Sequence, residues 1–188
     1  MSAARRAISE PRLPTPPTSD RLPDPPLDYI WSPWRYPYLK ANKPEGCIFC
    51  LMAAAGQDEE TLIVFRGEHN FVVLNRFPYT SGHLMIVPYR HTADLSGITD
   101  AAAAELMALT RTSERHIRRL YRPDGLNLGM NIGESAGAGI APHIHMHVLP
   151  RWAGDANFMT TVAQTRVLPE ELAVTWQRLK EAFTAEGV

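Results

Sequence analysis

Three histidines at alternating positions, His143, His145 and His147 (the triad), are the residues of this sequence best suited to chemistry. In a β-strand successive side chains point to opposite faces, so the three imidazoles would line one surface while Ile144 and Val148 enter the core behind them. Both of these apolar residues are β-branched, which favours a strand. Near neutral pH an imidazole can act as a nucleophile, a general acid or base, or a metal ligand. The alternation therefore predicts either histidine-based catalysis or a catalytic zinc with an open position.

A glycine-rich loop, residues 134–141, precedes the triad and follows a segment of alternating apolar and small residues at 125–133. Backbone N–H groups in such a loop can form an anion-binding nest, and Gly137 and Gly139 would let a phosphate approach closely. A phosphate cradle beside a row of imidazoles suits attack by a histidine on phosphorus. The combination predicts phosphoryl or nucleotidyl transfer by a protein without the P-loop sequence pattern.

Cys47 and Cys50, the only cysteines, form a Cys-x-x-Cys pair. Such a pair is a redox motif, half of a zinc site, or a chance pairing of two small buried residues. A thioredoxin-like motif needs the pair at a helix start within a βαβ unit, which residues 41–46 and 51–55 do not indicate. Two thiolates that bind zinc need two more ligands, and imidazoles would complete the tetrahedron.

Length and composition favour one domain. The chain has 188 residues, 45% of them hydrophobic, and a formal net charge of -1, so it lacks the basic footprint of a protein that binds nucleic acid or an anionic membrane. No apolar run reaches the roughly 20 residues that span a bilayer, and residues 1–26 lack the core of a signal peptide, so we expect a cytoplasmic protein. Seven of the 16 prolines fall in residues 1–26, which predicts a disordered arm before a single domain over residues 27–188.

Hydrophobic periodicity predicts an α+β fold built on one antiparallel sheet. A helix is expected from about 99 to 121, with Thr99 as its N-cap. A C-terminal helix is expected from about 168 to 184, with one apolar face formed by Leu172, Trp176, Leu179 and Phe183. The predicted strands lie at about 61–66, 70–76, 83–88, 126–132 and 143–150. His69 and His116 are expected to be ordinary surface residues.

The triad and its surroundings resemble the histidine triad (HIT) superfamily. Residues 143–150 (His-Ile-His-Met-His-Val-Leu-Pro) are similar to its signature, and residues 75–83 are similar to its Asn-x-x-Pro…Gly-His segment. Residues 31–36, 137–142 and 150–158 resemble a bacterial branch that contains diadenosine polyphosphate hydrolases and phosphorylases. The likeness covers roughly residues 28–188, and it implies a HIT-like sheet with a long helix after the third strand.

The resemblance implies a role for each matching residue. His145 would attack the α-phosphorus of a nucleotide and form a covalent nucleotidyl-histidine intermediate, with its other nitrogen held by a backbone carbonyl near His143. His147 would assist the leaving group. Asn75 would bind the ribose, and Asn131 would lie beside the phosphates. The expected nucleotide site also includes His83, Gly137 and Gly139, and His83 is expected to support the triad strand.

The resemblance also implies a structural zinc ion and a homodimer. Zinc-bearing members place histidines at the positions of His91 and His143, so these two residues would complete a Cys₂His₂ site with Cys47 and Cys50. No organic cofactor is expected. Two copies of the chain would join their sheets edge to edge.

Together with the resemblance, these residues favour cleavage of diadenosine polyphosphates at the α-phosphate, by hydrolysis or by phosphorolysis. One alternative is an adenine-nucleotide-binding module with only residual phosphoramidase activity. Another is a metallohydrolase that uses the triad as zinc ligands. The expected partners are a nucleotide substrate and a second copy of the chain, with neither nucleic acid nor a membrane.

Overall fold

The computed structural model describes residues 45–155 and 169–186. In chain order its elements are α1 (Ile48–Ala55), α2 (Asp58–Thr61), β1 (Ile63–Arg66), β2 (Asn70–Leu74), β3 (Leu84–Pro88), α3 (Asp100–Tyr121), β4 (Gly125–Gly129), β5 (Met146–Arg151) and α4 (Leu172–Glu186). Single 3₁₀ turns lie at Leu95–Gly97 and Glu134–Ala136. The predicted N-terminal arm, residues 1–26, and the predicted beginning of the last helix at residue 168 lie outside the described residues.

The five strands form one antiparallel sheet in the order β1-β2-β3-β5-β4. The sheet and the long helix after β3 confirm the α+β prediction. β5 lies between β3 and β4, so the strand that carries His147 is paired on both sides. The predicted strand at 143–150 is wrong at its start. β5 begins only at Met146, because the preceding backbone bonds outside the sheet, with the Ile144 N–H donating to the Thr92 carbonyl at 2.8 Å.

The core lies at the centre of the sheet. Every residue of β2 and β3 is buried, so both faces of these strands are covered. α3 packs against β2, β3 and β5, and α4 packs against β1 and α3. Leu179 and Phe183 of α4 are fully buried and Leu172 and Trp176 are partly buried, which confirms the predicted apolar face.

Local signals set the limits of α3. Thr99 caps its first turn, because the Thr99 hydroxyl accepts from the Ala102 N–H at 3.2 Å. The helix ends at Tyr121, and Arg122 adopts a left-handed conformation (φ 46°) directly before Pro123. A residue that precedes proline is disfavoured in the helical region, so the stop is expected there. The predicted helix at 99–121 is confirmed.

The prediction that His116 is a surface residue is wrong. It is 1% exposed because α4 covers this face of α3. The His116 ring packs on Phe183 with 4.5 Å between centroids, and its Nε2 lies 2.9 Å from a carboxylate oxygen of Glu186. Burial lowers the pKa of His116, although the Glu186 carboxylate opposes this shift. His116 therefore belongs to the contact that holds the C-terminal helix on the domain.

α1 has no counterpart among the predicted elements. Cys47 is its N-cap and Cys50 lies in its first turn, so the Cys-x-x-Cys pair does stand at a helix start, contrary to the sequence argument. A βαβ unit is nevertheless missing from the described residues, because each strand pair of their sheet is antiparallel. None of the described helices has the length and apolar character needed to cross a membrane.

Candidate active site and metal centre

The triad lies where the chain enters β5. His143 and His145 precede the strand, and His147 is its second residue. Ile144 and Val148 are buried, as the alternation predicts. The imidazoles are covered as well, since His143 is 1% exposed, His145 is 5% exposed and His147 is half-buried. Electrostatic interactions at these rings are therefore stronger than they would be in water.

One nitrogen of His145 is held by the backbone. Its Nδ1 lies 2.9 Å from the carbonyl oxygen of His143, an atom that can only accept, so Nδ1 carries the proton. The other nitrogen, Nε2, then keeps its lone pair. Burial lowers the pKa of His145, against the opposing effect of the bond to His143. At neutral pH the ring is thus uncharged, and the lone pair on Nε2 is available for nucleophilic attack.

The protonation of His147 is set through His83. The backbone N–H of Tyr79 donates to Nδ1 of His83 at 3.2 Å, so the proton of that ring sits on Nε2. His83 Nε2 in turn donates to Nδ1 of His147 at 2.8 Å. His147 therefore carries its proton on Nε2. Its ring lies 4.7 Å, centroid to centroid, from that of His145.

Asn75 supports the same assignment. Its side-chain oxygen accepts from the Phe77 N–H at 3.0 Å, which turns its amide nitrogen toward Nδ1 of His83, 3.3 Å away.

Burial and the neighbouring His145 lower the pKa of His147 to about 4. His147 is therefore an uncharged hydrogen-bond donor at neutral pH, beside the lone pair of His145.

His143 faces away from this pair, toward the cysteines. Its Nε2 donates to the carbonyl oxygen of Pro88 at 2.8 Å, which leaves the lone pair of Nδ1 free to bind a metal. Burial lowers the pKa of His143, so the ring is neutral, as a ligand must be. His143 thus serves two sites, because its ring points to the cysteines and its carbonyl holds His145.

The ligand atoms of Cys47, Cys50, His91 and His143 all lie within 4.8 Å of one another. Nδ1 of His143 is 3.2 Å from Cys47 Sγ and 3.6 Å from Cys50 Sγ. Nδ1 of His91 is 3.5 Å from Cys50 Sγ and 3.3 Å from Nδ1 of His143.

These distances fit a zinc ion. Tetrahedral zinc, with bonds of about 2.3 Å to sulfur and about 2.05 Å to nitrogen, places sulfur and nitrogen about 3.6 Å apart and two nitrogens about 3.4 Å apart. Burial and the neighbouring Cys47 raise the pKa of the Cys50 thiol, an effect that a bound divalent cation would reverse. All four positions of the tetrahedron would be filled by protein, which is typical of a structural site.

The strand that leads to the glycine-rich loop ends beside the triad, because Gly129, the last residue of β4, pairs with His147. Gly137 has a φ of +87°, which favours glycine, whereas no such constraint applies to Gly139. Space is open at both positions, since a Cβ added there would have no atom of the described protein within 4 Å. Asn131, two residues beyond β4, is half-buried.

The structure brings together most of the residues singled out in the sequence. Hydrogen bonds join Asn75 to His83 and His83 to His147, whose ring contacts that of His145. His145 is bonded to His143, and there a second cluster with the two cysteines and His91 begins. Asn131 lies two residues beyond β4, whose Gly129 pairs with His147, and Gly137 and Gly139 lie in the chain between that strand and the triad. The sequence analysis missed Phe49, whose ring lies 5.0 Å from that of His145. Its position between the cysteines was the only signal.

Comparison with known proteins identifies the family. The HIT domain family matches residues 57–154. A protein named AP-4-A phosphorylase from Mycobacterium tuberculosis (strain CDC 1551 / Oshkosh) is 44% identical over 158 residues, which cover 79% of this chain and 80% of that one. "Protein hit" of Bacillus subtilis (strain 168) is 33% identical over 114 residues, or 61% of this chain and 77% of its own.

Solved structures agree with this. A Zn-bound histidine triad family protein from Mycobacterium smegmatis superposes with a TM-score of 0.62 at 26% identity, covering 76% of this chain and 96% of its own. A hypothetical histidine triad nucleotide-binding protein from Sulfolobus tokodaii gives a TM-score of 0.59 at 26% identity, over 74% of this chain and 93% of its own. Since the family match spans the triad, the glycine-rich loop and His83, and a relative is 44% identical, this chain belongs to the HIT domain family.

Proposed function

We propose that this HIT-family chain is a nucleotide-processing enzyme that cleaves diadenosine polyphosphates, such as diadenosine tetraphosphate, by phosphorolysis through His145. The observation that carries the proposal is the tautomer of His145, whose Nδ1 is bound to the His143 carbonyl so that Nε2 is the attacking atom. The 44% identity to a protein named AP-4-A phosphorylase supports the choice of substrate and of phosphate as acceptor.

The reaction has two steps. In the first, the lone pair of His145 Nε2 forms a bond to the α-phosphorus while the bond from that phosphorus to the bridging oxygen breaks. ATP leaves with the electron pair, and the Nε2–H of His147 hydrogen-bonds to the leaving oxygen. In the second step, an oxygen of inorganic phosphate attacks the same phosphorus, and the electron pair returns to His145. The products are ATP, ADP and one proton.

An uncharged His147 suits this role. A neutral Nε2–H stabilises the charge that develops on the leaving oxygen, and the ring stays uncharged from about pH 5 upward because the pKa of His147 is about 4. ATP is a good leaving group that needs no proton near neutral pH, so hydrogen bonding at this position is sufficient.

The remaining nucleotide contacts are proposals from position. Asn75 stands at the end of β2 beside His83, where its amide would meet the ribose. The open backbone at Gly137 and Gly139 would surround the phosphates, with Asn131 at the entrance of the same loop.

We also propose that the Cys47, Cys50, His91 and His143 cluster binds Zn²⁺. The ligand distances and the Zn-bound relative from Mycobacterium smegmatis support this ion. When bound, zinc supplies a cross-link between α1, the chain after β3 and the triad segment. Elemental analysis of the purified protein tests it, with one zinc per chain expected and its absence from the Cys50→Ser variant.

The proposed reaction is tested by incubating the protein with diadenosine tetraphosphate, with and without inorganic phosphate, and separating the products. Phosphorolysis gives ADP and ATP only when phosphate is present. AMP and ATP in both samples would instead show that water is the acceptor. Tight nucleotide binding without turnover would show that the protein is the nucleotide-binding module and not an enzyme.

The metallohydrolase alternative has less support. Among the described residues, the one cluster with metal-ligand geometry takes only His143 from the triad. The ring of His147 accepts from His83 at Nδ1 and carries its proton on Nε2, so it has no lone pair left for a metal. If the triad held a catalytic metal, chelation would abolish turnover before it lowered stability.

The oligomeric state is proposed to be a homodimer joined at β4. This strand is an edge of the described sheet, and its residue Leu128 is 49% exposed, with Ile132 beyond it 44% exposed. An edge strand with exposed apolar side chains is a surface suited to pairing with a second sheet. Light scattering after size-exclusion chromatography should give twice the chain mass, and Leu128→Lys should give monomers.

A cytoplasmic location is also proposed, because the reduced thiols of a zinc site suit a reducing compartment.

A further inference from the structure

His145 lies just outside the sheet, directly before the first residue of β5. The ladder between β3 and β5 ends at the pair of Ile86 with Met146, and the ladder between β4 and β5 ends at Gly129 with His147. His145 therefore precedes the last pair on both sides. The backbone next to it is held by the bond from the Ile144 N–H to the Thr92 carbonyl. A nucleophile needs a more precise position than one such bond provides.

Phe49 supplies packing at this position. Its ring centroid is 5.0 Å from that of His145 with a tilt of 53°, and 5.4 Å from that of His143 in an edge-on arrangement. Phe49 is itself 2% exposed, so it is part of the interior and not of an open pocket. It contacts both the ring of the nucleophile and the ring of the residue whose carbonyl holds that nucleophile.

The position of Phe49 depends on the metal cluster. α1 has only eight residues, and helices of this length are not stable without tertiary contacts. Cys47 and Cys50 stand on either side of Phe49, and both approach Nδ1 of His143. The far end of α1 is held by Arg66, which donates to the Ala53 carbonyl at 2.8 Å.

We propose that Phe49 is a positioning residue for His145, and that the Cys/His cluster acts on catalysis by fixing Phe49 against that ring. The proposal rests on the proposed role of His145 as the nucleophile. The aromatic wall opposes rotation of the imidazole and keeps water from the bond between His145 Nδ1 and the His143 carbonyl. Nε2 then stays aimed at the substrate.

The test compares Phe49→Leu and Phe49→Met with Phe65→Leu. Phe65 is a matched control, because it is a partly buried phenylalanine that stacks on Phe183 at 5.4 Å, in the contact between β1 and α4. Misplacement of a reacting group typically lowers turnover by up to about a hundredfold. We expect Phe49→Leu to lower kcat by about tenfold to a hundredfold with KM within about twofold and full zinc content. Phe49→Met has about the volume of Phe49→Leu, but its unbranched thioether can contact the imidazole ring, so it should recover part of the loss.

A second readout does not depend on turnover. In protein labelled with nitrogen-15 at histidine, the Nδ1–H of His145 should give a slowly exchanging proton signal, and this exchange should become faster in Phe49→Leu but not in Phe65→Leu. Unchanged kcat and unchanged exchange in folded, zinc-loaded Phe49→Leu would overturn the proposal, as would equal losses in Phe65→Leu. If the unaltered protein turned over no nucleotide, the proposed function would fail, and the exchange rates alone would decide the role of Phe49.

Discussion

Replacement of His83 by phenylalanine should impair the proposed role of His147 without affecting that of His145. His83 is fully buried and donates to Nδ1 of His147 at 2.8 Å. His83→Phe keeps an aromatic ring of similar size but removes this donor. His147 is then free to place its proton on Nδ1, which would point a lone pair instead of a donor at the leaving oxygen. The nucleophile His145 is left intact.

The expected effect follows from one neutral hydrogen bond. Such a bond contributes a net of about 0.5–1.5 kcal/mol. If that energy holds His147 in the productive tautomer, its loss lowers kcat by about 2-fold to 13-fold, at about 1.36 kcal/mol per factor of ten. KM should change little, because the donor acts on charge that develops in the transition state. Stability should also fall by about 1 kcal/mol or more, because the Tyr79 N–H and His147 Nδ1 lose their partner.

The assay is steady-state phosphorolysis of diadenosine tetraphosphate, together with nitrogen-15 spectra that report the tautomer of His147. His83→Gln is the restoring variant, since an amide can accept from Tyr79 and donate to His147. His69→Phe is the matched control, because its half-exposed side chain lies on the turn between β1 and β2. A folded His83→Phe protein with the kcat of the unaltered chain would refute the claim that His83 fixes the tautomer of His147. A spectrum showing the proton on Nδ1 of His147 in the unaltered protein would refute it as well.

Three further predictions follow from the site and its surroundings. Gly139→Ala should leave the unfolding midpoint unchanged and raise KM for the nucleotide, whereas Gly137→Ala should lower stability by about 1 kcal/mol because of its φ of +87°. An unchanged KM in Gly139→Ala would show that this loop does not bind the phosphates. Cys50→Ser should lose zinc and more than about 3 kcal/mol of stability. A chelator should lower the unfolding midpoint of the unaltered protein but not of this variant, and equal responses of the two proteins would argue against the zinc site. Burial holds the folded-state pKa values of His116 and His147 below the unfolded value of about 6.5, so the unfolded chain binds more protons as pH falls below that value. The midpoint of thermal unfolding should therefore fall from pH 7.5 to 6 to 5, and it should fall less in His116→Phe. A midpoint independent of pH would contradict the burial of these rings.

The sheet and its long helix were predictable because their signals are local. Thr99 caps α3 through its own hydroxyl, and Pro123 follows its last turn, so both limits are readable from the sequence. The alternation of Ile144 and Val148 correctly predicted which residues enter the core. Local patterns do not report what covers an element, and for that reason His116 was misjudged.

α1 and the start of β5 depended on long-range contacts. Residues 48–55 lack the length to be a stable helix alone, and their anchors, His143 and Arg66, are distant in the sequence. β5 begins late because Ile144 bonds to Thr92, a partner that no periodicity reveals. The metal cluster was reached from the family resemblance instead, because spacing alone could show only the pair of cysteines.

The tautomers of the triad could be worked out only from the fold. The sequence named His145 and His147, but the proton on each ring is decided by backbone groups, the His143 carbonyl for one and the Tyr79 N–H, through His83, for the other. These groups carry no sequence signal, since every residue has them.

The most direct test of the central claim is to trap the intermediate. The protein is mixed with diadenosine tetraphosphate in the absence of phosphate, quenched in alkali to preserve a phosphorus–nitrogen bond, and digested for mass spectrometry. The account predicts the mass of one AMP group on the peptide that contains the triad, located at His145, and its absence from an inactive but folded His145→Gln protein. An adduct on another residue, or undiminished turnover by His145→Gln, would contradict it.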